Sequence, residues 1–280
     1  RAYDSLTKML EDPEVEVVYI ATPNNLHASH TIQAAKAGKH VLCEMPLTPT
    51  ITESEKLGEM AEKAGVILMP DLNFRFTPNY VMAKKLIEQG VIGKPLAITF
   101  RELIPAKELA TQWPLNSWAW NVEKSGGYPD FTLSVWSIDL VRWLLDSEIN
   151  DVHWVAHYAP LEGVDNFIGY HTMGIIKFSS GAVGTLHYSA TVAMGQGTSL
   201  LEVFGSNTKT LKATWNNSLV VTGEGSEKQE WSFTEKGAKV WGHYQIDAYF
   251  IECILHGKKP MITVEDAIKA QKIAAKIARA

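Results

Sequence analysis

Hydrophobic positions in the first third of the chain fall into short runs separated by amphipathic stretches. Val15-Glu16-Val17-Val18-Tyr19-Ile20-Ala21 is an apolar, β-branched run ended by Thr22-Pro23-Asn24-Asn25. A helical pattern from about Leu26, capped by Asn25, continues through Ala37 and stops at Gly38, a residue that commonly closes helices. His40-Val41-Leu42-Cys43-Glu44 predicts a second buried strand, Ile51 to Lys63 a helix closed by Gly65, and Val66-Ile67-Leu68-Met69 a third strand. Strands alternating with helices of this length imply βαβ units and a parallel sheet buried on both faces.

Past Asn73 the pattern changes. A helix is predicted over Asn79–Glu88 and a strand over Pro95–Glu102. A tryptophan-rich loop from Trp113 to Trp120 then leads through Gly126-Gly127 into a helix over Asp130–Leu145. Six strands follow: Val152–Tyr158, Gly169–Phe178, Val183–Ala193, Ser199–Phe204, Lys209–Ala213 and Leu219–Val221. Their turns, such as Ser179-Ser180-Gly181 and Gly205-Ser206-Asn207, point to a mostly antiparallel sheet. Tyr244–His256 and Val264–Ala278 close the chain as helices, the second opened by Thr263 with Asp266 three residues on. The expected fold class is α/β plus α+β: part of a parallel sheet over 1–72, a larger open-sheet domain over 73–262, and a closing helix over 263–280 that packs back on the first.

No G-x-G-x-x-G occurs; Gly195-Gln196-Gly197 and Gly223-Glu224-Gly225 fall among antiparallel strands and read as turns. A doubly wound sheet carries strands on both sides of its switch point. Three parallel strands alone would leave the apolar edge of Val15–Ala21 unpaired. The expectation is that this chain is a fragment without its first half-sheet. The other reading is a short protein that completes the sheet from a partner subunit.

Composition narrows the classes. With 280 residues, 46% hydrophobic and 20% charged, the chain is neither disordered nor low-complexity. A net charge of −5 argues against a nucleic-acid or anionic-membrane surface. No apolar run approaches the roughly 18 residues of a membrane span. Two cysteines, Cys43 and Cys253, allow no disulfide framework, so a reducing cytoplasm is the expected setting. The nine histidines are scattered and no metal site is read from them.

Four motifs in register are informative together. Val18-Tyr19-Ile20-Ala21-Thr22-Pro23-Asn24 with Leu26-His27, then Ala37-Gly38-Lys39-His40-Val41-Leu42-Cys43-Glu44-Met45-Pro46, then Asn73-Phe74-Arg75-Phe76-Thr77-Pro78, then Ser125-Gly126-Gly127 resemble the Gfo/Idh/MocA family, the glucose-fructose oxidoreductase, inositol dehydrogenase and rhizopine-catabolism group. The resemblance implies a Rossmann-type domain followed by an open-sheet domain that carries the substrate pocket and the oligomer contact, in a homodimer or homotetramer. It also implies NAD or NADP as cofactor and a sugar, cyclitol or related polyol as substrate. Cofactor contacts are expected at Thr22, Pro23, Asn24, His27, Glu44, Met45, Pro46 and Asn73. The pyrophosphate loop is not in this sequence, so binding by the chain alone is expected to be weak or absent.

The same resemblance locates departures. The family's Glu-Lys-Pro lysine corresponds to Met45, a thioether with no proton to give. The helix motif places Thr132 where the family has Asp, Trp136 where it has His or Tyr, and keeps Asp139. These three, spaced i, i+4, i+7, share a helix face expected to point at substrate. Arg75, Trp118, Trp120, Thr132, Trp136 and Asp139 are the expected substrate contacts. A structural ion pair competes for Arg75, and packing competes for the loop tryptophans. Asp130 and Tyr128 could replace the lost acid–base pair beside Trp136, or Asp130 could be satisfied by the helix terminus. His27, on a first helical turn, is expected to be neutral and hydrogen-bonded. Loss of a positioned acid–base group costs about 10²–10⁴ in rate, so a catalytically inert ligand-binding or scaffold homologue is the alternative.

Overall fold

The computed structural model describes residues 1–214, 218–234 and 239–277. The first layer comprises α1 (Leu6–Glu11), β1 (Val17–Ile20), α2 (Asn24–Lys36), β2 (His40–Cys43), α3 (Ile51–Ala64) and β3 (Leu68–Pro70). The three strands pair in parallel in the order β1-β2-β3, with Val18 opposite Val41 and Leu42 opposite Met69. Thr50 caps α3 at its start and Gly65, at φ +68°, ends it. Helix α2 begins earlier than expected, at Asn24, with Pro23 in the cap position and no side-chain cap. Asn25 is therefore not the cap. Asn24 turns its amide away instead and donates to the Ser125 carbonyl at 2.9 Å.

A short 3₁₀ turn (Asn73–Phe76) leads into α4 (Pro78–Glu88), β4 (Pro95–Pro105) and α5 (Ala106–Gln112). A second such turn (Trp118–Trp120), α6 (Val122–Ser125) and α7 (Pro129–Leu145) follow. Then come β5 (Ile149–Leu161), β6 (Val164–Phe178), β7 (Val183–Val192), β8 (Thr198–Gly205), β9 (Lys209–Thr214), β10 (Ser218–Gly223) and β11 (Gln229–Ser232). The chain closes through α8 (His243–Leu255) and α9 (Val264–Ala274). The expected end of the last helix at Ala278 lies outside the described residues.

The second sheet has the order β11-β10-β9-β8-β4-β7-β6-β5. It is mostly antiparallel but mixed, because β4 enters between β8 and β7 and runs parallel to β7. Its inner face buries Ile98, Phe100, Ile176, Leu186, Tyr188, Leu201 and Leu211. Its outer face leaves Val155, Met173 and Ile175 exposed. Such one-sided burial is what an antiparallel sheet tolerates. Helix α9 packs on α3 and α7. Its capping box forms as expected between Thr263 and Asp266. Gln271 binds the first layer through Thr48 and Ser54, and Ile273 accepts from the Trp154 indole on β5.

Candidate functional site

The carboxyl ends of β1, β2 and β3 open into a cleft of about 500 Å³. This is where open α/β sheets bind ligands, since loops and helix ends converge there without blocking one another. Thr22 and Asn24 follow β1, Glu44 and Met45 follow β2, and Asn73 and Phe74 follow β3. The opposite wall is Thr132, Leu133 and Trp136 of α7, with Glu102 and Ile104 of β4. Glu108 and Gln112 of α5, with Trp113 and Trp118, form the mouth. Trp241 and His243 close the remaining side, and the Trp241 ring stacks on Phe74.

Local sequence explains the placement. Gly126, at φ +91°, lies so close to the loop after β2 that a Cβ would stand 2.7 Å from the Pro49 carbonyl. That approach lets Ser125 accept from Asn24 and fixes the start of α2 beside the cleft. Gly242, at φ +81°, lies against the turn after β3, where a Cβ would stand 2.4 Å from the Asn73 carbonyl. His243, the first residue of α8, is thereby delivered to the cleft.

Polar groups beside β2 and β3 form a compact network. The Tyr19 hydroxyl lies 2.5 Å from Glu44 Oε1 and 2.9 Å from Asp71 Oδ2. His243 Nδ1 stands 3.6 Å from Asp71 Oδ2. Burial, reinforced by the Asp71 carboxylate, pushes the Glu44 carboxyl up to about 7. The Asp71 carboxylate raises the His243 pKa against the opposing effect of burial. Glu44, Asp71 and His243 each bring one polar atom within 4.8 Å of the others. The Tyr19 hydroxyl already joins the two carboxyl groups, so the cluster is a hydrogen-bonded proton network. Across the cleft, burial alone pushes the Glu102 carboxyl up to about 7.

Several lining groups lack partners. Asn73 Oδ1 and Thr132 Oγ1 are buried without a hydrogen bond, as is Asp71 Oδ1 beside them. Buried polar atoms are nearly always paired, so unpaired ones grouped at a cleft fit a polar ligand. Thr22, Asn24, Glu44 and Met45, at the ends of β1 and β2, could hold the reactive end of a dinucleotide there.

Of the residues expected from sequence, Thr22, Asn24, Glu44, Met45, Asn73, Trp118, Thr132 and Trp136 meet in the cleft. The Trp136 indole donates to the Asp71 carbonyl at 2.8 Å. Others lie elsewhere. Pro23 caps α2, and Pro46 is buried behind the cleft wall. His27 is fully buried, its nitrogens 3.0 and 2.7 Å from the Pro46 and Thr22 carbonyls. Burial lowers its pKa against these two bonds, and the ring braces two loops. Arg75 and Asp139 bind each other in a fork-to-fork pair, with Arg142 and Asp266 alongside. Asp139 lies about 10 Å along the helix axis from Thr132, two turns below the cleft. Asp130 is buried and accepts from Tyr158 and Thr172. Tyr128 packs against Trp120 and Tyr158, and the Trp120 indole donates to the Trp113 carbonyl. None of these six residues, Arg75, Asp139, Asp130, Tyr128, Trp120 and His27, lines the cleft.

Sequence reasoning missed Asp71, Glu102, Trp241 and His243. No spacing signal could have joined His243 to Asn73, its contact 170 positions away. The one local hint was Gly242 ahead of a helix.

Comparison with known proteins agrees with this architecture. Residues 1–72 match the family described as oxidoreductase family, NAD-binding Rossmann fold, and residues 80–210 match the Gfo/Idh/MocA C-terminal domain. Myo-inositol 2-dehydrogenase of Thermotoga maritima is 29% identical over 95% of this chain and 77% of its own length. Levoglucosan dehydrogenase of Pseudarthrobacter phenanthrenivorans is 32% identical over 64% of this chain and 50% of its own length. The chain thus spans between half and about three quarters of these relatives. A solved structure of levoglucosan dehydrogenase with NADH and levoglucosan shares the fold, with a TM-score of 0.84 at 24% identity over 99% of this chain and 80% of that one. Among the described residues no helix is long and apolar enough to cross a membrane. On its fold, its cleft and both matching domains, this chain belongs to the Gfo/Idh/MocA oxidoreductase family.

Proposed function

We propose that the protein is an NAD(P)-dependent dehydrogenase that interconverts a secondary alcohol of a sugar, cyclitol or related polyol with the ketone. The observation that carries this is the cleft at the strand ends, with unpaired Asn73 and Thr132 oxygens beneath a wall of tryptophans. Aromatic faces suit the C–H side of a sugar ring, while scattered carboxyl and amide groups suit its hydroxyls. Residues 1–72 form the cofactor side and residues 73–262 the substrate side. When bound, the nicotinamide dinucleotide takes or gives the hydride. Thr22 and Asn24 would border its ring, and Met45, 3% exposed, would supply an apolar surface against it. Thr132 and Glu102 would accept or donate to substrate hydroxyls, and Trp118 and Trp136 would shield them from water.

A second copy of the chain would sit on the open face of the large sheet, where Val155, Met173 and Ile175 lie on neighbouring strands. The alternative is an inert ligand-binding homologue. It is favoured by Met45, Thr132 and Trp136, which occupy positions where the resemblance implies a lysine, an aspartate and a histidine or tyrosine. The test is calorimetric titration of NADH and NADPH into the full-length protein, then turnover over a panel of cyclitols and anhydrosugars. Micromolar dinucleotide binding with turnover of any panel member supports the dehydrogenase; binding without turnover supports the inert homologue.

A further inference from the structure

We propose that His243, oriented by Asp71, exchanges the proton of the reacting hydroxyl in this cleft, in place of the groups that Met45 and Trp136 cannot supply. The inference rests on the dehydrogenase reading and assigns its acid–base group. His243 is the imidazole among the cleft residues, and its side chain is 40% exposed. Nδ1 faces Asp71, so the proton of the neutral ring belongs there and the lone pair belongs on Nε2. The Asn73 amide approaches Nε2 at 3.3 Å, but its shorter bond, 2.8 Å, goes to the Trp241 carbonyl. The amide has two N–H groups and makes both bonds, so a substrate hydroxyl reaches the Nε2 lone pair by displacing the longer Asn73 contact. An orienting carboxylate behind an imidazole fixes the tautomer and stabilises the charge that forms. Catalytic hydrogen bonds are often long without ligand and tighten when it binds.

The hydrogen bonds around Tyr19 make Asp71 an acceptor. Tyr19 has one hydroxyl proton and faces two carboxyl groups, so both contacts are satisfied only if one carboxyl keeps its proton. Glu44 is the one that burial favours as the neutral acid. Glu44 then donates to Tyr19, and Tyr19 donates to Asp71, which faces His243. The Trp136 indole, spent on the Asp71 carbonyl, holds that segment in place. The charged or titratable groups facing the imidazole are Asp71 after β3, Glu44 after β2 and Asp247 one turn on in α8. Asp71 favours the imidazolium most, and Glu44 and Asp247 add to it only when ionised.

In alcohol oxidation, neutral Nε2 takes the hydroxyl proton while the carbinol C–H pair leaves as hydride for the oxidised dinucleotide. The O–H and C–H bonds break and the C=O bond forms. The alcohol is oxidised, the dinucleotide reduced, and the proton remains on His243 until it passes to water. Oxidation therefore needs the neutral ring, and kcat should rise with pH through the His243 midpoint and level off above it.

The test uses the full-length protein, with dinucleotide affinity measured for every variant. His243→Gln should lower kcat by about 10²–10⁴-fold and leave the NADH dissociation constant within about threefold. Asp71→Asn should lower the midpoint of the His243 imidazole signals in an NMR titration, and shift the acidic limb of kcat in the same direction. Near-normal turnover by His243→Gln, an unmoved midpoint in Asp71→Asn, or loss of activity on chelation would overturn the assignment. So would a Glu102→Gln variant that alone removes the pH limb. If the unmodified protein binds no dinucleotide, the dehydrogenase reading fails instead, and the catalytic assignment falls with it. The imidazole midpoint would still report whether Asp71 and His243 are paired.

Discussion

Glu102 stands on β4 with burial as the cause of its raised pKa, about 7 against an ordinary value of 4.5. Between those values the folded state holds a proton that the unfolded chain has released, so folding stability is greatest below pH 4.5 and falls as pH rises through 7. Glu102→Gln removes that penalty. Thermal melts should show the variant more stable than the parent at pH 8, by at most about 3 kcal/mol, with the gap closing toward pH 5. Equal melting at both pH values would mean that the carboxyl is solvated through the cleft. The same substitution should raise KM for a polyol, because a site that faces hydroxyl groups gives up stability for binding. Asp130 and His27 show the opposite outcome. Each has hydrogen-bonding partners inside the protein, so residue type alone advertised more chemistry than either is placed to do.

At the scale of elements, two joints set the cleft. Gly242 lets the start of α8 touch the turn that carries Asn73, in a left-handed conformation that side chains resist. Gly242→Ala would meet the Asn73 carbonyl at 2.4 Å. It should displace His243 and cut kcat at least tenfold while α9 and the parallel sheet stay folded, which hydrogen exchange would resolve helix by helix. A variant with unchanged kcat would separate the α8 joint from the chemistry. The second joint is the buried pair of Arg75 and Asp139, whose side chains are 6% and 1% exposed. It links the turn after β3 to α7, and Asp266 extends it to α9. Asp139→Asn leaves a buried guanidinium without its main partner and should destabilise by about 3–5 kcal/mol in urea titrations. A loss under 1 kcal/mol would mean that Asp266 takes over.

Across the whole molecule, the two sheets meet the world differently. The parallel layer buries Val41, Leu42 and Met69 but leaves Tyr19 of β1 exposed, whereas the large sheet leaves an outer face where Val155 pairs with Met173 and Ile175 lies on the next row. Ile175 is 66% exposed, an uncommon position for an isoleucine unless something covers it. If a second copy does, Ile175→Glu should convert the protein to monomer in sedimentation velocity without lowering dinucleotide affinity. An oligomer unchanged by that substitution would move the contact off this face.

How much of this was legible follows from the range of the forces involved. Alternation of strand and helix in residues 1–72, the capping of α3 and α9 and the turns of the large sheet are decided within about ten residues, and the sequence alone determined them. So were Thr22 and Asn24 as strand-end residues, because a strand's carboxyl end is marked by where its apolar run stops, while Glu44, Met45 and Asn73 were pointed out by the family resemblance. The spacing of Thr132, Trp136 and Asp139 specified a shared helix face but not what lies opposite each turn. Packing decided that, turning the first two toward the cleft and the third onto Arg75. Parallel pairing of β4 with β7 and the meeting of His243 with Asp71 join segments far apart in the chain. They exist only once helices, sheets and close-approaching glycines have settled against one another, and only the tertiary structure could decide them.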